Sequence, residues 1–333
     1  NLLFHIFNAC LVYLLAYSFI RNHFDSKKAL GISFFTALLF AIHPVQVETV
    51  CWISASKIVL STFFYLSALI CYIQYMRNSK WQYLLASVVS SILAMGCKEQ
   101  SVIIVPCLLL FDWMLFKRNM RSLKVYIEKV YYLIPAIAIF IVTLVANKDT
   151  GEEIIGYTIV DRFIFLCYSV FKYLLISAIP FKLSYLYPFP FQVGEKIPMA
   201  LWIYPFVILF IGYVIYLNRK KPLLVFCTLF FILHLLPVLH VIPLPRYVVA
   251  ADRYLYIPYI AFAIGLSILS YHLYERQRKW ILYAGFLYCS YLCVYTASYA
   301  PAWKNSDTLK EHFKEVLKKR ETNLSINFKH EKQ

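Results

Sequence analysis

The sequence predicts an all-α chain, a polytopic transmembrane helical bundle of about ten spans plus one re-entrant or surface segment. Three observations lead there. Of 333 residues, 61% are hydrophobic and 15% charged, against about 45–50% apolar and about 25% charged in soluble domains. The apolar residues fall in repeated runs, most of them near the ~20 residues that a helix needs to cross a bilayer. The basic residues, which bring the formal net charge to +16, cluster in short turns between those runs, where the positive-inside rule puts them.

Helix is the state these runs can take in lipid, because an open strand would leave its backbone groups unpaired. The expected spans lie near 1–20, 29–43, 58–76, 81–97, 100–116, 125–147, 199–217, 222–240, 254–273 and 280–299. The first starts at Asn1, already apolar, without the Met and charged leader of a signal peptide, and reads as a chain cut upstream. Arg21, Lys27 and Lys28 follow the first span, Arg77 and Lys80 the third, and Lys117, Arg118, Arg121 and Lys124 the fifth. Arg219, Lys220 and Lys221 form a later turn, and Arg276, Arg278 and Lys279 precede the last span. All of these share one cytoplasmic face only if the apolar stretch 162–180 fails to cross completely. That stretch is therefore expected to be re-entrant or to lie on the outer surface, starting at Asp161-Arg162 and leaving at Pro180.

Residues 44–57, 97–100, 148–198, 241–253 and the tail from 300 then share the non-cytoplasmic face. Tyr185, Tyr187, Phe189, Phe191 and Trp202 are expected there as interfacial aromatic anchors, and Asp149, Glu152 and Glu153 make an acidic outer loop. The basic charge is accounted for by these turns and brings no nucleic-acid motif with it, so no nucleic-acid partner is expected. Nine cysteines lie almost wholly in apolar runs, with no CxxC and no metal-ligand spacing, and no metal or cofactor is expected. Walker, GxGxxG, HExxH and GxSxG signatures are missing, and eight glycines leave little material for a nucleotide loop.

Three polar segments reach the outer face: His43-Pro44-Val45-Gln46-Val47-Glu48, Lys98-Glu99 and Ala251-Asp252-Arg253-Tyr254. Ionisable groups beside hydrocarbon are costly, so each is a site candidate. His43, Glu48, Lys57, Glu99, Asp252 and Lys172 are candidates for the lining of an outer-face cavity. Lys98 suits a phosphate as a compact point charge, and Arg253 and Arg246 suit it through their planar forks. Plainer readings stand beside these: a polar turn capping two spans at 43–48, and mutual neutralisation of Lys98 by Glu99. Asp112 reads as interfacial, and His234 and His240 as packing or interface residues.

Several short motifs occur in order along nearly the whole chain. They are Asn1-Leu2-Leu3-Phe4-His5 with Asn8 and Tyr13, His43-Pro44-Val45-Gln46-Val47-Glu48 with Trp52-Ile53, and Lys98-Glu99 with Pro106 and Asp112-Trp113. Pro180-Phe181-Lys182-Leu183-Ser184, Ala251 to Pro258, and Trp303 with Ser306-Asp307 and Leu309 continue the set. This set resembles the membrane glycosyltransferases that carry tetratricopeptide repeats, the transmembrane and tetratricopeptide-repeat O-mannosyltransferases and their bacterial relatives. The resemblance implies a C-type glycosyltransferase fold. It also implies transfer of a mannose-like sugar from a polyprenyl-phosphate donor to Ser/Thr hydroxyls of an acceptor protein on the non-cytoplasmic face. Family enzymes use an acid of the first external loop as general base; the match starts at the family's second span, so that acid is expected upstream of Asn1 and no catalytic residue is assigned. Ser56 and Ile58 stand where many relatives carry Arg and Asp, while Lys57 remains.

Residues 1–300 are thus expected to form the transferase-like bundle without its first span and first external loop. Residues 301–333 are expected to form a non-cytoplasmic helical tail, with Leu309, Phe313 and Leu317 on one face, leading towards repeats that recruit the acceptor. Implied partners are the lipid-linked donor, the acceptor protein and membrane lipid. The Lys-, Ile- and Tyr-rich composition favours a bacterial inner membrane, or the endoplasmic reticulum if the source is eukaryotic. A lipid-linked sugar transporter or flippase, and a non-catalytic membrane anchor for a repeat domain, stay open as other functional classes.

Overall fold

The computed structural model describes residues 1–146, 156–184, 186–239, 248–276, 278–312 and 314. Arg246, Tyr185, His240, the acidic residues at 149, 152 and 153, and the tail from 315 lie outside them. Thirteen α-helices occur among the described residues: α1 (Leu2–Ile20), α2 (Ser26–Ile42), α3 (Val47–Cys51), α4 (Ser56–Asn78), α5 (Trp81–Cys97), α6 (Ile104–Met114), α7 (Leu123–Ile127), α8 (Val130–Ala146), α9 (Ile159–Ala178), α10 (Ile203–Leu217), α11 (Pro222–Leu235), α12 (Pro258–Arg276) and α13 (Arg278–Tyr299). No strand is found among the described residues; the one extended pairing is the antiparallel bridge Tyr187–Ala250.

Each expected span overlaps an α-helix among the described residues, and local chemistry sets the ends. Asp25 caps α2 by accepting from the Lys28 backbone N–H at 3.0 Å. Pro44 forces His43 into an extended conformation (ψ 129°), which ends α2 at Ile42. Among the described residues, four helical segments are long and apolar enough to cross a membrane: Leu2–Ile20, Ile53–Asn78, Met199–Leu217 and Lys279–Trp303. A fifth is counted if α2 and the Pro44–Cys51 segment, bent by 51°, make one broken span. The chain is therefore an all-helical protein with the helices of a membrane protein. Trp81–Cys97, Val130–Thr143 and Pro222–Leu235 are apolar but shorter. α6 is cut to 11 residues because a 3-10 turn at Glu99–Ile103 occupies the start of its run.

The run expected at 125–147 is broken into α7 and α8 at Glu128–Lys129, and the break serves a buried ionic network. Asp112, expected at the interface, is instead fully buried. It accepts from Lys129 Nζ at 2.6 Å, Arg118 at 3.4 Å and the Tyr72 hydroxyl at 2.5 Å. Arg118 also pairs with Glu128 at 2.5 Å, so two acids and two bases cancel. Elsewhere, interhelical serines tie the bundle: Ser87 donates to the Ala68 carbonyl of α4 at 2.7 Å and accepts from Tyr132 of α8 at 2.8 Å.

α9 is one unbroken helix of 20 residues, opening three residues earlier than expected because Thr158 and Asp161 form a capping box. Its charged residues, Asp161, Arg162 and Lys172, distinguish it from the apolar spans. Beyond its end the chain runs beside α13 in the same direction. Tyr288 donates to the Ala178 carbonyl (2.9 Å), Tyr291 to the Pro180 carbonyl, and the Leu183 N–H donates to Tyr295 (3.2 Å). The three tyrosines are spaced three and four apart, on one helix face.

Candidate functional site

The break at His43-Pro44 turns the chain into α3, and α3 places Glu48 against the 3-10 turn Asp252–Leu255. Glu48 is fully buried. Its Oε1 meets an Arg253 guanidinium nitrogen at 2.5 Å, and its Oε2 accepts the Arg253 backbone N–H at 2.8 Å. Glu48 was expected to line an open cavity; it is enclosed and spent on Arg253. The guanidinium also faces the rings of Trp52 (5.7 Å) and Tyr254 (5.0 Å), a cation–π setting.

Asp252 turns the other way. Its Oδ1 accepts the Tyr187 hydroxyl at 2.7 Å, and Lys172 Nζ lies 5.1 Å from the centre of the Tyr187 ring. Burial lifts the Asp252 carboxyl well above the usual carboxylate range and the nearby Glu48 charge adds to this, while Tyr187, Lys172 and Arg253 oppose it. Tyr187 was expected as an interfacial anchor. It is 1% exposed, because its hydroxyl is needed by Asp252 and its backbone by Ala250 and Val249. Around this pair, both amide atoms of Gln46, Thr49 Oγ1, Asp252 Oδ2 and the Tyr259 hydroxyl are buried with no hydrogen-bond partner among the described residues.

Lys98 and Arg253 come together across the sequence. Both line one narrow cleft of about 30 Å³, with Ser61, Gln100, Ser101, Tyr65 and His234. Lys98 pairs with Glu99 at 2.9 Å, yet Lys98 is 15% exposed and Glu99 45%, so the carboxylate sits on the solvent side of the lysine. Lys57 is exposed and acts on Glu99 only as a nearby charge, and His43 is buried against Tyr259 with ring centres 4.2 Å apart.

Several lining residues escaped the sequence reading. Tyr65 hydrogen-bonds His234 Nε2 at 2.8 Å while His234 Nδ1 meets the Phe230 carbonyl at 2.8 Å, and Ser61 bridges the Ala94 carbonyl and Ser101. Tyr256 is fixed from behind by His5 (2.7 Å) and Asn8 (3.2 Å). Ser61 and Tyr65 share a face of α4 at i, i+4 spacing, the one signal that pointed to them. Beside the cleft, α6 and α11 bound an apolar groove of about 560 Å³. Pro106, Leu109 and Trp113 line one side of it and Leu229, Ile232 and Leu236 the other, so it starts one turn past the cleft residue Ile103 and next to His234.

No family model, curated protein or solved structure matches the chain.

Proposed function

We propose that this chain is the membrane bundle of a C-type glycosyltransferase. It would move a mannose-like sugar from a polyprenyl-phosphate donor to protein Ser/Thr hydroxyls on the non-cytoplasmic face. The observation that carries this is the cleft that Lys98 and Arg253 both line, with the apolar groove of α6 and α11 beginning one helical turn beyond its residue Ile103. A lipid phosphate needs both features next to one another: cations for the head group and a greasy slot for the chain. Lys98 supplies a point charge and Arg253 a planar fork whose orientation Glu48 fixes.

In the reaction, the acceptor oxygen bonds to the sugar's anomeric carbon as the bond from that carbon to the phosphate oxygen breaks. The departing phosphate keeps the electron pair, and Lys98 and Arg253 stabilise its growing charge. The acceptor proton passes to a base that this chain's buried acids do not supply, since Glu48 is occupied by Arg253 and Asp252 by Tyr187. In the corresponding topology, of about ten spans, α9 dips into the outer half of the bilayer and 179–183 climbs back along α13, a course supported by the successive bonds to Tyr288, Tyr291 and Tyr295.

The test is a reconstitution of the full-length protein with radiolabelled polyprenyl-phosphate mannose and an acceptor peptide. Labelled peptide with release of free polyprenyl phosphate is expected. Movement of intact donor across the vesicle, with no transfer, would make the protein a transporter instead.

A further inference from the structure

A second groove opens elsewhere on the bundle, lined by none of the cleft residues. α2, α12 and α13 part around it, with Gly31 and Phe35, Ser270 and Tyr274, and Leu282 and Gly285 on its three sides, and it holds about 380 Å³. Two of its wall residues are glycine, and a Cβ added at Gly31 or Gly285 would meet nothing within 4 Å, so the space beside them is open. Its lining is otherwise apolar apart from a few hydroxyls, one of which, on Ser267, is buried without a hydrogen-bond partner.

One end of the slot is basic. Gly31 lies one turn inside Lys27 on α2, Leu282 lies one turn inside Lys279 on α13, and Arg276 closes α12. These three cations are exposed and form no ion pair among the described residues. The neighbouring Lys28 is already matched by Asp25 at 3.6 Å and by Glu275 at 3.1 Å, and Glu275 also accepts from Tyr271. The acids near the mouth are therefore engaged, and net positive charge stands over an apolar slot.

We propose that this groove binds an anionic glycerophospholipid, with one acyl chain in the slot and the phosphate between Lys27, Arg276 and Lys279. Basic pockets between membrane helices select lipids by head-group charge. A zwitterionic lipid would bring its own cation to three cations already there. The site stands apart from the proposed glycosyl transfer and needs no donor in the Lys98 cleft.

The test is native mass spectrometry of the purified full chain with phosphatidylglycerol or phosphatidylcholine of identical acyl chains. Phosphatidylglycerol is expected to be held about tenfold tighter at moderate salt. The triple variant Lys27→Gln/Arg276→Gln/Lys279→Gln should lower it to the phosphatidylcholine level, whereas Arg219→Gln/Lys220→Gln at another turn should leave the preference intact. Gly285→Phe, whose side chain enters open space, should reduce retention of phosphatidylglycerol at least tenfold. Equal retention of the two lipids by the native chain overturns the proposal. So does a preference that survives the triple variant, or phosphatidylglycerol that stays bound in Gly285→Phe.

Discussion

Arg253 is held by Glu48 through two separate groups, its guanidinium at 2.5 Å and its own backbone N–H at 2.8 Å. Both contacts act on one carboxylate, so Glu48 fixes the 3-10 turn as well as the side chain that it presents. Glu48→Ala should therefore destabilise the protein by about 2–4 kcal/mol, somewhat below a fully buried pair because the guanidinium is 18% exposed. Thermal unfolding in detergent measures this. A loss under 1 kcal/mol would show that the turn holds Arg253 without Glu48.

Lys98 lines the cleft, and its ammonium pairs with the more exposed Glu99 at 2.9 Å. Lys98→Ala should weaken polyprenyl-phosphate binding about 10- to 100-fold, the worth of a charge-assisted contact, while leaving the unfolding temperature nearly unchanged. Equilibrium binding beside a melting curve separates the two effects. Unchanged affinity would remove Lys98 from the phosphate site.

Asp252 carries a pH dependence of definite sign. Its native carboxyl keeps a proton at pH values where the unfolded one, near about 4, has lost it. The folded state then binds more protons, and stability falls as pH rises from about 4 towards the raised native value. Asp252→Asn keeps an acceptor for the Tyr187 hydroxyl but removes the titration. It should raise the melting temperature more at pH 7 than at pH 4.5, and an equal change at both would contradict the assignment.

At the far end of the bundle, Lys129 is 3% exposed and neutralises an Asp112 with no exposure at all. Lys129→Met leaves that carboxylate with Arg118 at 3.4 Å and should cost about 3–5 kcal/mol. The double change Lys129→Met/Asp112→Leu should recover most of the loss in the same unfolding experiment.

The expected topology places Val193 and Asn119 on opposite sides of the membrane; both positions are exposed. In a background freed of the nine native cysteines, Cys introduced at 193 should react with an impermeant maleimide from the non-cytoplasmic side. Cys at 119 should react only after permeabilisation. Labelling of both from one side would overturn the arrangement in which 162–180 does not cross.

The helices were legible because apolar runs, proline breaks and basic turns are local signals, and each expected span overlaps an α-helix. Span lengths were less so: nothing in the 100–116 run marks the 3-10 turn that shortens α6, and the Glu128–Lys129 break answers to Asp112, which is distant in sequence. The candidate site was read through its charges. Lys98, Arg253, Glu48 and Asp252 all announce themselves by standing in apolar surroundings, and the fold gathers them. The neutral partners did not, since Tyr65 and His234 sit in apolar helices, and Tyr256 in a run read as one, where an aromatic residue usually means packing. Tyr187 was read as an interfacial anchor because it lies in an outer aromatic segment, and only the fold brings Asp252 to its hydroxyl.

The most direct test of donor binding is photo-crosslinking with a diazirine-bearing polyprenyl phosphate, followed by peptide mapping. Saturable adducts on 98–103, on 253–258 and along the α6–α11 groove, lost in Lys98→Ala, are the predicted result. Adducts spread over the lipid-facing helices, with the same yield in the native chain and in Lys98→Ala, would contradict a lipid-phosphate site in this cleft.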